Sequence, residues 1–181
     1  MKIIVLDIET TGLKPRFDEI VELGMVSLDL ETGEITTLFN QLFCPEKVTD
    51  LKIQNSWIVS NGFIEMDAIS NAKPLSDYKH EINAILAPYK GKVTAWNRKF
   101  DAGFLKAAGF DLGTDLICPM IASTGYFKID GFYGYKWPKA QEAWDILFPT
   151  VKKTEEHRGL DDAIMEAKII FELTQRGVLV F

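Results

Sequence analysis

Cysteine is nearly absent from this chain: Cys44 and Cys118 stand far apart, with no Cys-x-x-Cys and no Cys/His cluster. That excludes a disulfide framework and a zinc site built on thiolates, and a reducing, cytoplasmic setting is the expectation. Histidine is as scarce, present only as His80 and His157, so chemistry that requires an imidazole has two positions to choose from. Long apolar runs are missing. The N-terminal stretch Ile3-Ile4-Val5-Leu6 ends at Asp7, too short for a signal peptide, and no segment could span a membrane. Positive charge is not in excess: 20 Lys and Arg face 26 Asp and Glu, a net charge of −6. A broad basic surface for gripping long nucleic acid is thereby excluded. No Gly-x-x-x-x-Gly-Lys pattern occurs, which removes a phosphate-loop domain.

What remains reads as an ordinary globular composition, 47% hydrophobic and 25% charged over 181 residues, consistent with a single domain over residues 1–181. Residues 2–7 read as a buried strand, 20–30 as a second and 35–43 as a third after the turn signal Glu31-Thr32-Gly33-Glu34. Together these form an antiparallel meander. Residues 44–74 give no periodic signal and are read as irregular. Ser76 is placed as the N-cap of a helix carrying Tyr78, Ile82, Ile85 and Leu86 before Pro88. Residues 92–96 read as a fourth strand, 101–108 as a short helix ending near Gly109, and 115–124 and 138–148 as further helices. A last helix aligns Leu160, Ala163, Ile164, Ala167 and Phe171 before Gly177. Strands followed by alternating helix and strand predict a mixed-sheet α/β domain.

Three short stretches carry the chemistry. In the first, Asp7-Ile8-Glu9-Thr10-Thr11-Gly12-Leu13, the two carboxylates stand two apart at the end of a strand and so share a face. Like charges that close repel unless a cation lies between them, and hard divalent ions choose carboxylate oxygens. Alone, such a pair is more often a solvated strand end. The second, Asn97-Arg98-Lys99-Phe100-Asp101, follows an apolar run, and here Asp101 could serve simply as a helix cap. In the third, His157-Arg158-Gly159-Leu160-Asp161-Asp162-Ala163, the two acids fall in a first helical turn, where the helix dipole stabilises them. The helical pattern does not choose between Asp161 and Asp162.

In order and internal spacing, the three stretches resemble the motifs of the DnaQ-like exonucleases, the DEDD superfamily, in the branch whose third motif carries a histidine. That pattern is filled by Asp7, Glu9, Asp101, His157 and Asp162, and the resemblance covers nearly the whole chain. It selects Asp162 over Asp161. It implies a ribonuclease H-like fold with a five-stranded mixed sheet flanked by helices. It also implies hydrolysis of single-stranded DNA or RNA from the 3′ end to nucleoside 5′-monophosphates, with DNA favoured. Two divalent ions, Mg²⁺ or Mn²⁺, would be held by Asp7, Glu9, Asp101 and Asp162, Asp7 bridging them. His157 would be the general base, its ordinary pKa of about 6.5 suiting proton removal near neutrality.

The resemblance further implies that Thr10, Thr11, Gly12, Leu13, Trp96, Asn97 and Phe100 contact the terminal nucleotides, although Trp96 departs from the histidine the family often carries there. Arg158 is either a phosphate contact or a solvated arginine. Residues 126–137 interleave aromatics with Lys and Gly, which suits base stacking by Tyr133 and Tyr135 with Lys136 on a phosphate; it equally suits rings folded over the core. Trp137 is read as structural, packed under the third motif. Any polymerase partner would be a separate chain. The rival readings are an exoribonuclease of the same chemistry and a non-catalytic polymerase-associated binding module; the intact set of acids argues against the latter.

Overall fold

The computed structural model describes residues 1–181. Strand β1 (Lys2–Thr10) is central. It pairs antiparallel with β2 (Ile20–Asp29), which pairs antiparallel with β3 (Ile35–Leu42). Three short helices follow, α1 (Asp50–Gln54), α2 (Trp57–Ser60) and α3 (Met66–Ser70). A 3₁₀ turn at Leu75–Tyr78 leads into α4 (Lys79–Leu86) and then β4 (Val93–Thr94), parallel to β1 beside Ile4 and Val5. Beyond lie α5 (Arg98–Ala107), α6 (Pro119–Ala122) and α7 (Thr124–Phe127). A small ribbon of β5 (Asp130–Gly131) and β6 (Gly134–Tyr135) precedes α8 (Ala140–Leu147) and α9 (Gly159–Gln175). The main sheet runs β3-β2-β1-β4.

Alternation along β1 divides the core. Ile3 and Val5 join Val26 and Leu28 under α8 and α9, with Ala143, Trp144, Ile169, Ile170 and Leu173. Ile4, Leu6 and Ile8 face the other way, onto Ile82 and Leu86 of α4 and Phe104 and Leu105 of α5. Each fully buried Ile or Leu contributes roughly 1.5–3 kcal/mol of transfer free energy. The sheet is therefore covered on both faces, and the end of β1 is held fast where Asp7 and Glu9 emerge.

One contact sets the register between helix and sheet. A Cβ built on Gly24 would lie 2.2 Å from the backbone of Gly159, and one built on Gly159 would lie 2.8 Å from the Gly24 nitrogen. Backbone thus rests on backbone where α9 begins. Gly24 is the cross-strand partner of Asp7, so this contact puts the first turns of α9 directly beside the two acids.

The antiparallel meander and the mixed α/β class are as expected. Five details differ. Residues 44–74 are not irregular: Ile53, Ile58, Ile64 and Ile69 bury themselves around Val21 in a cluster of their own. Single-turn helices are too short to show a helical period, which hid them. Ser76 is not a cap but lies inside the 3₁₀ turn. The sheet has four strands where five were expected. Ile117 accepts a bond from the Thr94 hydroxyl (3.2 Å) rather than a ladder of amides, and Pro119, lacking an N–H, opens α6 instead. Residues 115–118 accordingly stay outside the predicted helix. On α9 the fully buried stripe is Ala163, Met165, Ala167, Ile169, Ile170 and Leu173, because the helix is covered by α8 as well as by the sheet; Leu160, Ile164 and Phe171 are only half-buried.

Candidate active site

The site forms where β1, α5 and α9 converge. Asp7 and Glu9 leave the same face of β1, and Asp101 sits in the first turn of α5, buried. It does not cap that helix; Asn97 occupies the cap position. Asp162 is buried on the sheet side of α9 while Asp161 faces solvent. Ligand atoms of Glu9, His157 and Asp162 all lie within 4.8 Å of one another. Asp7 and Asp101 share an open cleft of about 270 Å³ with Asn97, Phe100, Lys139 and Glu155.

Asp162 also shapes the loop that carries the histidine. Its carboxylate accepts from the backbone N–H of Glu156 (3.0 Å) and of Arg158 (3.2 Å), so the chain wraps around it. His157, between those two donors, takes φ = 53°, a conformation that histidine tolerates better than most residues. Its ring is met edge-on by Trp57 (4.7 Å between centroids) and Phe63 (4.4 Å). Both aromatics come from the segment that gave no signal in the sequence.

Burial first, and then the neighbouring acids for Asp7 and Glu9, raises the proton affinity of Asp7, Glu9, Asp101 and Asp162. Asp7 is held well above the usual carboxylate range, first by burial and then by Glu166, Asp101, Glu9 and Asp162. Burial and the neighbouring Asp162 push Glu9 up to about 8. Burial carries Asp101 up to about 7 against the pull of its own and the Ile8 backbone N–H. Asp162 rises by burial too, moderated by the amides it binds and by His157. No Lys or Arg is paired with any of these four acids. Buried and unpaired like charges are costly, and a divalent cation relieves them. Oxygen donors with a single imidazole suit hard ions such as Mg²⁺ or Mn²⁺. Asp101 Oδ1 is buried without a hydrogen-bond partner, a free lone pair of the kind such an ion takes up.

Several expected contacts are placed elsewhere. The Trp96 ring packs in the apolar layer under α8 and its indole N–H donates to the Pro138 carbonyl (2.9 Å), although the residue also lines the cleft. The Thr11 hydroxyl is buried and accepts from the Glu19 N–H (3.0 Å), while Thr10 Oγ1 donates to the Gly12 carbonyl (2.6 Å). Both hydroxyls shape the turn, which leaves Leu13 projecting from its tip, 80% exposed. Arg158 is ion-paired, with its side chain still 41% exposed. Its guanidinium grips Glu22 (2.9–3.2 Å), and Glu22 also receives the Gly159 N–H at the start of α9. Lys136 is paired with Glu142 and its side chain stays 40% exposed. Tyr133 is 97% exposed on the ribbon, and Trp137, expected inside, is 61% exposed; the space under the third motif is filled by Trp96 and Trp144 instead.

The sequence reading missed Glu166, one turn past Asp162 on α9 and buried, whose position at i+4 from a chosen acid was the available signal. Glu22, Glu155, Trp57 and Phe63 were missed as well, and for the two aromatics no local signal existed.

Known proteins place this constellation in context. Residues 4–170 match the model of the RNase T family, described as an exonuclease. The chain belongs to that family. It is by family an exonuclease, and its fold is ribonuclease H-like, shared with solved 3′-exonucleases. DNA polymerase III PolC-type from Clostridium perfringens is 27% identical over 172 residues, 92% of this chain but 11% of that protein; the chain thus spans about a ninth of this relative. Among solved structures, the nuclease domain of 3′hExo, a DEDDh family member bound to rAMP, aligns over 98% of this chain and 93% of its own, with TM-score 0.67 and 22% identity. E. coli exonuclease I in complex with a dA16 oligonucleotide aligns over 96% of this chain and 41% of its own, with TM-score 0.69 and 10% identity.

Proposed function

We propose that this exonuclease removes nucleotides from single-stranded 3′ ends, with DNA favoured, by a two-metal reaction in which His157 is the general base. The observation that carries this reading is that Asp7 and Asp101 line one cleft while the carboxylates of Glu9 and Asp162 gather within 4.8 Å of the His157 imidazole and of each other. Asp7, between the β1 and α5 sides, is the candidate bridge; Glu9 and Asp162 would hold one ion and Asp101 the other. When bound, the pair of ions supplies an activated water and charge neutralisation at the attacking and leaving oxygens. The chain's own part is positional. β1 and α9 fix the acids, the Asp162-wrapped loop aims the imidazole, and a neutral His157 takes a proton from the attacking water. The product is a nucleoside 5′-monophosphate. Net charge −6 favours short contact with a chain end over long tracking of a strand. Leu13 and the cleft residues Asn97 and Phe100 are the proposed contacts with the last nucleotides, and Gly12 the point of close backbone approach. A separate polymerase chain is a candidate partner, suggested by the PolC-type relatives.

A ribonuclease reading is favoured by the rAMP bound to the related nuclease domain. A time course on matched 5′-labelled DNA and RNA oligonucleotides, with Mg²⁺, Mn²⁺ or EDTA and beside Asp7→Ala, separates the two. The expected result is a metal-dependent ladder shortening from the 3′ end, faster on DNA and lost in the variant. Faster shortening of RNA would replace the DNA reading. No shortening of either, in any metal, would overturn the assignment and promote the binding-module alternative.

A further inference from the structure

Glu166 stands among the proposed ligands without belonging to the family pattern filled by the five motif residues. It lies one helical turn after Asp162, on the same face of α9, and is only 5% exposed. No Lys or Arg reaches it. Its one hydrogen bond is to Oε2 from the Trp96 backbone N–H (2.9 Å), so Oε1 makes none. It lines the same cleft as Asp7 and Asp101, and beside it Asp101 Oδ1 is buried without a partner.

Two carboxylates with unused oxygens on one cleft, neither of them ion-paired although Lys139 also lines it, describe a place for a cation from solution. We propose that Glu166 is a further ligand carboxylate of the metal centre, acting with Asp101 on the ion farther from His157. The inference rests on the two-metal reading above. The Trp96 N–H fixes the Glu166 carboxylate by one oxygen and leaves the other to the ion, the usual way a backbone donor orients a metal ligand. The extra acid gives this ion an additional oxygen where motif acids alone would leave Asp7 and Asp101.

The test is Mn²⁺ binding followed by calorimetry and electron paramagnetic resonance, on the full chain and on Glu166→Gln. Glutamine fills the same space, and its carbonyl still accepts the Trp96 N–H. Wild type is expected to bind two ions; the variant should lose about tenfold or more in affinity for one of them. In EDTA the variant should melt above wild type, because one buried acid has gone, and it should gain less from Mn²⁺. Glu166→Asp, which keeps the charge but shortens the reach, should bind with intermediate affinity, and it stands in if the glutamine variant fails to fold. Equal stoichiometry and affinity in wild type and both variants would overturn the proposal for Glu166 while leaving the two-metal reading intact. Absence of Mn²⁺ binding by wild type would overturn both.

Discussion

The acids and the histidine of this site are held in opposite ways. Asp7 and Glu9 ride on the central strand, with neighbours Leu6 and Ile8 buried, and Asp101 and Asp162 on helices packed against that sheet. His157 sits on a loop in a left-handed conformation, kept in place by two amides donated to Asp162 and by the edges of Trp57 and Phe63. The ligand cage rides on regular elements packed into the core, whereas the base rides on a loop, the kind of segment that opens locally at least cost. Ion binding and proton transfer should therefore be separable by mutation.

The strongest way to break that separation is at Asp7, which both ions are proposed to share. Asp7→Asn should lower turnover by roughly 10³-fold or more, several kcal/mol of barrier, while melting in EDTA stays at or above the wild-type temperature. A fold lost along with activity would mean that Asp7 is structural. Next comes His157. His157→Asn suits the left-handed backbone better than alanine does, and the rate should fall by about 10²–10⁴-fold with Mn²⁺ affinity unchanged in a titration. A parallel loss of metal would make the imidazole a ligand and erase the distinction between cage and base.

A smaller effect is expected from the aromatic support. Trp57→Ala and Phe63→Ala should each reduce kcat by about tenfold through a misplaced imidazole, with KM little changed. Rescue by Trp57→Phe would tie the loss to the edge contact, and a pure KM effect would recast Trp57, 55% exposed, as a substrate platform. The mildest test is pH. In the metal-free protein, Glu9 at about 8 and Asp101 at about 7 hold protons that the unfolded chain releases near 4. The folded state then binds more protons than the unfolded one, so stability is full near the unfolded values and declines as pH climbs through 7 and 8. Melting temperature in EDTA should fall between about pH 5 and pH 8.5, and Mg²⁺ or Mn²⁺ should flatten the slope. A flat profile in EDTA would mean that the acids are not crowded in solution.

How much of this could be read from the chain follows the same division. The meander, the last helix and the choice of Asp162 over Asp161 were legible, because apolar alternation and motif spacing record regular elements directly. The support for His157 was not. Trp57 and Phe63 lie about a hundred residues before it, on short turns whose burial comes from tertiary packing around Val21, and no local pattern encodes such a meeting. The burial of Trp96 and the exposure of Trp137 escaped for a related reason: both are tryptophans beside a motif, and only the layer under α8 decides which is covered. The pairing of Arg158 was hidden because its partner, Glu22, lies on β2, 136 residues earlier in the chain.

The pair Gly24 and Gly159 divides what this scaffold can change from what it must keep. Neither position has room for a methyl group, so a larger residue at one cannot be offset by a smaller one at the other. Ordinary compensating drift is closed to that seam. The start of α9, and with it the spacing between strand acids and helix acids, leaves no steric room for substitution at that seam, whereas the exposed ribbon around Tyr133 and the projecting tip at Leu13 leave room for other side chains. New substrate preferences in such a protein would arise by rewriting its rim, generation after generation, around a centre that does not move.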